Sequence, residues 1–199
     1  FAAAIPNPAE RPFLLEGYVF PDTYDFYVGE PAAQALDRFL NNMKAKLTDA
    51  DYTRAAELGY TMDQILTIAS LIQEEAGMPV EDEKVSSGIY NRLSSKDYPL
   101  LQLDASYEYL DLSVEPFITG SREKYDKTYN TYVCKALPAG PISNPGRASI
   151  DAALYPADTA YYFYRTDKNR NFYYAETYQG HLANGEKVKK ADASSGVPG

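Results

Sequence analysis

The chain has 199 residues, 45% hydrophobic and 24% charged, which is enough apolar material for one buried core. Its formal net charge of −9 excludes a typical DNA or RNA partner, because nucleic-acid binders need clustered Lys and Arg. One His and one Cys are too few for a zinc site, and neither a metal nor a cofactor is expected. No apolar run reaches the roughly 18 residues that a membrane span requires.

Apolar periodicity and the positions of Pro and Gly predict a helical chain with a small antiparallel sheet near its C-terminus, an α+β fold. Residues 1–12 are expected to be irregular, and residues 13–28 are β-prone around a turn at Pro21 and Asp22. A short extended piece is expected over 98–103, and residues 111–146 should be mostly loop with short helical turns. Helices are predicted from Pro31 to about Leu47, Thr48 to Leu58, Thr61 to Gly77, Pro79 to about Ser95, Asp104 (as N-cap) to Leu110, Ala148 to Tyr155 and Tyr178 to Lys189, with hairpin strands over 160–166 and 171–177.

Two neighbouring carboxylates on the helix over 61–77 are predicted to have different surroundings. At about 100° per residue, Glu75 falls on the apolar stripe with Ile68 and Leu71, whereas Glu74 falls on the polar side. Burial and the negative end of the helix dipole both raise the pKa of a carboxyl group. A carboxylic acid that keeps its proton near neutral pH suits general-acid chemistry on a sugar oxygen. Periodicity alone favours another interpretation, in which Glu75 pairs with an arginine such as Arg92.

Two loop segments combine many polar side chains that could bind a polyol. The first is the run Leu-Gln-Leu-Asp over 101–104. The second is Tyr-Asn-Thr-Tyr over 129–132, followed by the proline-glycine loop 137–146. The alternative, that these side chains satisfy the backbone of their own loops, stays open. His181 is expected at a rim or in a structural role, and a Ser143–His181 hydrolase is disfavoured because no Gly-x-Ser-x-Gly elbow is present.

Six segments, in order, resemble the YceG-like family of endolytic murein transglycosylases. They are LEGYVFPDTYDFY (15–27), IASLIQEEAG (68–77), VSSGIYNRL (85–93), LLQLDASYEYL (100–110), YNTYVCKALPAGPISNPGRASIDAALYPA (129–157) and YYFYRTDKNRNFYYAETYQGH (161–181). The resemblance covers most of residues 15–181, and YNTY followed by LP-x-GPI-x-NPG is highly specific.

The resemblance implies a helical, lysozyme-like catalytic body and a lytic mechanism. The family cleaves the β-1,4 bond between N-acetylmuramic acid and N-acetylglucosamine and leaves a 1,6-anhydro end. Its catalytic acid matches Glu75, the second acid of a Glu-x-Glu pattern whose first position is Gln73 here. Ala105 stands where relatives often have Pro. The implied organisation is an irregular segment 1–12, a catalytic domain 13–190 and a flexible tail 191–199.

The resemblance also implies a sugar groove and a cell-wall setting. We expect substrate contacts from Gln102, Asp104, Tyr129, Asn130, Thr131 and Tyr132, with Glu16 and Asp22 at the cleft wall. The expected partners are peptidoglycan strands and cell-wall synthesis proteins outside the cytoplasm, with a membrane anchor beyond this chain. Two alternatives remain: a noncatalytic peptidoglycan-binding or scaffold domain, and a hydrolytic muramidase, which needs a second acid roughly 5–10 Å from the first.

Overall fold

A computed structural model describes residues 5–194 of the chain. The predicted α+β class is confirmed, because helices form the body and the described strands form one two-stranded antiparallel sheet. The α-helices and strands are α1 (Ala32–Lys46), α2 (Asp49–Leu58), α3 (Met62–Glu75), α4 (Pro79–Ser94), α5 (Asp104–Glu108), α6 (Glu123–Tyr129), α7 (Arg147–Leu154), β1 (Phe163–Thr166), β2 (Phe172–Ala175) and α8 (Tyr178–Ser194). A π-helical stretch over Tyr109–Val114 and short 3-10 turns at Pro8–Glu10 and Glu115–Phe117 complete the order.

Helix α3 is the centre of the core. Every residue from Ile65 to Ile72 is buried, and the helix packs against α4 and α7. Its start is fixed by the predicted capping box, in which the Gln64 backbone N–H donates to the Thr61 hydroxyl and the Gln64 side chain accepts from the Thr61 N–H. The helix ends at Glu75, so the functional candidate occupies its last turn.

The β-prone segment 13–28 forms no strand, and that prediction is wrong. Its backbone N–H groups find a side-chain partner instead: Gly17 and Val19 both donate to Asn144 Oδ1 at 3.0 Å. Gly17 has φ +85°, and a Cβ there would lie 2.2 Å from Pro141 Cγ. At Gly17 the segment therefore lies directly against the proline-glycine loop, where only a glycine fits.

The predicted hairpin is confirmed, with Tyr164 of β1 opposite Tyr174 of β2. Its turn is held by Asp167 Oδ1, which accepts the N–H groups of Asn169 and Asn171 at 2.9 Å. Helix α8 packs on both strands and runs to Ser194, five residues beyond the predicted end at Lys189.

The expected tail, residues 191–199, is therefore helical as far as Ser194, and its remainder lies outside the described residues. Residues 1–4 of the expected N-terminal segment also lie outside the described residues. The domain boundaries at 12 and 190 stay predictions. Over residues 5–194, none of the helices combines the length and the apolar character needed to cross a bilayer.

Candidate active site

A cavity of about 520 Å³ opens beside the last turn of α3. This volume is in the range of ligand-binding clefts in proteins. Its walls come from α3, α4, the loop over 101–104, β1 and α8. The polar and aromatic side chains among the lining residues are Glu75, Arg92, Gln102, Asp104, Tyr132, Tyr162, Phe163, Tyr164, Arg165, Thr166, Tyr178 and His181.

Glu75 is half-buried and both of its carboxyl oxygens are hydrogen-bonded. Oε1 accepts the Ala105 backbone N–H at 3.2 Å, and Oε2 accepts the Tyr164 hydroxyl at 2.6 Å. Burial raises the pKa of Glu75 above its usual value; the two hydrogen bonds oppose that rise, and the charges of Asp104 and Glu108 add to it. Glu74, by contrast, is exposed, as the helical periodicity predicted. A carboxyl group held this way can exchange a proton with a ligand in the cavity.

Arg92 does not pair with Glu75, so the alternative drawn from periodicity is not what the structure contains. Its Nε donates to the carbonyl of Tyr162 at 2.7 Å, and its Nη1 donates to the carbonyl of Leu100 at 2.6 Å. Nη1 also donates to Gln102 Oε1 at 3.0 Å. Arg92 thus fixes the loop that forms one wall of the cavity.

Gln102 reaches the cavity through an unusual backbone conformation. Its φ is +56°, in the left-handed region that side chains rarely adopt, and its N–H donates to the Thr131 carbonyl. Because Arg92 can only donate, the amide oxygen of Gln102 faces the guanidinium and its NH₂ group is left as a donor. Strained residues of this kind concentrate at ligand sites.

Asp104 and Tyr132 form a pair at the cavity wall. The Tyr132 hydroxyl donates to Asp104 Oδ1 at 2.5 Å, and partial burial with the charge of Asp104 raises the pKa of Tyr132 to about 12. The predicted N-cap role of Asp104 is wrong: Asp104 is the first residue of α5, Leu103 occupies the cap position, and no side chain caps the helix. The carboxylate of Asp104 binds Tyr132 instead.

Two predicted substrate-binding residues lie in the interior. Tyr129 is 1% exposed and packs against Tyr109 in the core. Thr131 is 0% exposed, and its hydroxyl accepts the Leu103 N–H at 2.8 Å and is hydrogen-bonded to the Ser106 hydroxyl. As placed, neither side chain offers surface to a ligand, and both hold the wall of the cavity in position.

The other three predicted residues lie outside the cavity lining. Asn130 accepts the Tyr132 N–H through its side-chain oxygen at 3.0 Å. Glu16 accepts from Asn144 Nδ2, and burial raises its pKa. Asp22 lies in a separate cleft of about 450 Å³, where Lys46 and Asn42 bind its carboxylate. Their roles in substrate binding stay predictions.

The proline-glycine loop 137–146 packs against the side of α3 away from Glu75, where side chains of α3 accept its backbone N–H groups. The Ile142 N–H donates to Ser70 Oγ at 3.0 Å, and the Gly146 N–H donates to Gln73 Oε1 at 3.1 Å. Ser143 donates to the Ser70 carbonyl. Gln73 therefore anchors this loop, which gives the residue at the first position of the Glu-x-Glu pattern a structural role.

Sequence reasoning missed Tyr164 and Arg165 and gave His181 only a rim or structural role. All three line the cavity. The strand pattern identified β1, but nothing in it showed that the hairpin would lie against the end of α3, 89 positions earlier in the chain.

The chain is similar to several known proteins. The model of the YceG-like family matches residues 3–187. An endolytic murein transglycosylase of Bacillus subtilis is 31% identical over 173 residues, which are 87% of this chain and 48% of that protein. One from Streptococcus pneumoniae (serotype 2, strain D39) is 28% identical over 179 residues, 86% of this chain and 32% of that protein.

A solved structure gives the same result for the fold. The crystal structure of a yceG-like protein from Listeria monocytogenes superposes with a TM-score of 0.73 at 31% identity, covering 86% of this chain and 55% of that one. The chain spans half or less of the length of the curated relatives it matches. The family model covers most of the chain, and the chain therefore belongs to the YceG-like family.

Proposed function

We propose that this chain is the catalytic part of an endolytic peptidoglycan lytic transglycosylase that acts outside the cytoplasm in cell-wall synthesis and remodelling. The observation that carries the proposal is Glu75, a carboxyl group of raised pKa whose two oxygens are positioned at the wall of a polar, aromatic cavity. The endolytic murein transglycosylases among its relatives support the same reaction class. A segment outside this chain would anchor the protein to the membrane.

In the proposed reaction, protonated Glu75 donates its proton to the oxygen of the β-1,4 bond between N-acetylmuramic acid and N-acetylglucosamine. The C1–O bond breaks, and N-acetylglucosamine leaves with the new hydroxyl. The C6 hydroxyl of the muramyl residue then attacks C1 and gives its proton to the Glu75 carboxylate. The product is a 1,6-anhydro end, and Glu75 is protonated again, so one acid/base group serves both steps.

The sugar contacts are proposed for the side chains that face this cavity. The NH₂ group of Gln102 would donate to a sugar or N-acetyl oxygen, since Arg92 occupies its carbonyl oxygen. Tyr132 is 45% exposed and Tyr178 is 52% exposed, and aromatic faces of this kind suit the apolar faces of sugar rings. Tyr129 and Thr131 would act indirectly, through the loop that carries Gln102 and Asp104.

A hydrolytic muramidase is the second candidate, because Asp104 supplies another carboxylate in the same cavity. Its charge is close enough to raise the pKa of Glu75. In that reaction Asp104 would activate a water molecule or attack C1, as in two-carboxylate glycosidases. The products separate the two mechanisms: anhydro ends indicate the lytic reaction, and reducing ends indicate hydrolysis.

The experiment is digestion of purified sacculi by the wild type and by Glu75→Gln, with products separated by mass. We expect Glu75→Gln to lower product release by about a hundredfold to ten-thousandfold, the usual contribution of a general acid. Glu74→Gln is the matched control, because it removes a neighbouring exposed carboxylate from the same helix turn. Full activity in Glu75→Gln would refute the assignment. Binding of sacculi by a wild type that releases no product would favour the noncatalytic scaffold.

A further inference from the structure

The charges around the cavity fall into two groups of opposite sign. Glu75 and Asp104 are in one group, and Glu108 acts on the same site. Arg92 and Arg165 line the cavity as the other group. Within residues 5–194, neither of these two arginines forms an ion pair with a carboxylate. In a chain of net charge −9, two arginines left without acidic partners need an explanation.

Arg92 is the buried member of this cationic group, with 8% of its surface exposed. Nε and Nη1 are used by loop carbonyls and by Gln102. Nη2 has no hydrogen bond within the described part of the chain, and it is not among the atoms that are sealed from solvent without a partner. This leaves one NH₂ group without a hydrogen-bond partner among the described residues, on a fixed guanidinium whose residue lines the cavity. A partly buried cation that lacks a counter-charge is costly unless an anion arrives with the ligand.

Arg165 is exposed, but α8 defines its position. A Cβ at Gly185 would lie 3.6 Å from Arg165 Nε, so the guanidinium runs along the α8 backbone where the helix has no side chain. The effect of both arginines reaches His181: burial lowers its pKa, and the charges of Arg165 and Arg92 lower it further. The two arginines therefore share one region of positive potential, and His181 lies within its reach.

We propose that Arg92 and Arg165 form a carboxylate-binding subsite for the muramyl residue of the strand. This rests on the proposed function, because it concerns where a peptidoglycan strand lies in the same cavity. Each muramyl residue carries a lactyl ether that ends in a carboxyl group, either free or joined to a stem peptide with carboxylates of its own. N-acetylglucosamine carries neither a lactyl group nor a stem peptide. Arginine donates charge-assisted hydrogen bonds to carboxylates, and Arg92 keeps its Nη2 group for such a bond because Nε and Nη1 are already used.

The subsite would set the register of cleavage. The two sugars of the strand alternate, and their backbone hydroxyl and N-acetyl groups are nearly the same. A cationic subsite accepts a muramyl residue in one position only. Glu75 then lies beside the glycosidic bond at C1 of that muramyl residue, and not beside the bond at C1 of N-acetylglucosamine. Discrimination between the two β-1,4 bonds then comes from charge rather than from ring shape.

The test is binding to three probes of equal length: strands with stem peptides, amidase-treated strands with free lactyl groups, and chitin oligosaccharides. Titrations are done in the Glu75→Gln background so that no ligand is consumed. We expect Arg165→Gln to weaken binding of a muramyl strand by about fivefold, the scale of a solvent-exposed ion pair, and to leave chitin binding unchanged. Arg165→Lys should restore most of the loss. Lys44→Gln, which removes a charge from α1 outside the cavity, is the matched control and should have no effect.

The probes also identify the source of the carboxylate. A loss confined to amidase-treated strands assigns the lactyl group, and a loss confined to peptide-bearing strands assigns the stem peptide. The proposal is overturned if Arg165→Gln leaves both muramyl strands unaffected or weakens chitin binding equally. Cleavage of sacculi is measured separately, with the wild type, which retains Glu75. Charge-selective binding without cleavage would refute the proposed function and not the subsite.

Discussion

Removing the hydroxyl of Tyr164 should change the proton affinity of Glu75 in a definite direction. That hydroxyl donates to Glu75 Oε2 at 2.6 Å and opposes the rise in pKa that burial causes. In Tyr164→Phe the carboxylate loses this donor, while the uncharged acid loses less, so the pKa of Glu75 should rise further. Because Glu75 must be protonated to begin the reaction, the basic limb of the pH profile of kcat/KM should move to higher pH.

The size of the effect follows from the geometry of the bond. A hydrogen bond to a charged group contributes about 1.5–3 kcal/mol. Glu75 is half-buried and opens onto the cavity, where water can replace part of the lost bond, so we expect the lower end, about 1.5 kcal/mol. The ratio of acid to carboxylate at a given pH should then increase by about tenfold.

The assay is the release of product from sacculi across a pH series, with the apparent pKa of the basic limb taken from kcat/KM. Tyr174→Phe is the control: Tyr174 is paired with Tyr164 across the hairpin, but its hydroxyl donates to Glu81 at 2.7 Å. Its profile should match that of the wild type. A basic limb that stays in place, or moves to lower pH, in Tyr164→Phe would show that the hydroxyl does not act on the proton of Glu75.

Two further predictions concern stability. Arg147 lowers the pKa of Asp51 to about 2, so its contribution to stability is present above the unfolded value of 3.8 and is lost as the pH falls through 2. Asp51→Asn should therefore lower the free energy of unfolding by about 1–2 kcal/mol at pH 7 and have little effect near pH 2, measured by denaturant titration; equal losses at both pH values would contradict the ion pair. Thr131→Val leaves the buried Leu103 N–H without its acceptor and should cost about 1–3 kcal/mol of stability, and any rise in KM for the strands should accompany that loss. A raised KM at unchanged stability would instead indicate direct sugar binding by Thr131.

The sequence was most informative where a local pattern decides the structure. The apolar spacing and the Thr61–Gln64 capping box predicted α3, and the same helical periodicity separated exposed Glu74 from half-buried Glu75. The hairpin was also predictable, because Asp167 and the polar turn lie between two aromatic strands. These features depend on neighbours within one or two turns of chain.

The errors came where a distant residue decides the structure. Residues 13–28 have the composition of a strand, yet Asn144, more than a hundred positions away, takes the backbone donors that a strand would use. The run 129–132 has Asn and Thr between two Tyr residues, and no periodic signal indicates that Tyr129 and Thr131 are buried while Tyr132 is exposed. Tyr164 was missed for the same reason, since only the docked hairpin brings it to Glu75.

The walls of the cavity come from segments scattered between Glu75 and Val188. During synthesis from the N-terminus, Glu75 is therefore made before Tyr164. The cavity lacks the Tyr164 donor and the wall formed by the hairpin until residue 164 and those after it have been added. Under the proposed function, a nascent or proteolytically clipped chain that stops before the hairpin would release no product from peptidoglycan. Activity would then depend on delivery of the hairpin, not on synthesis of Glu75.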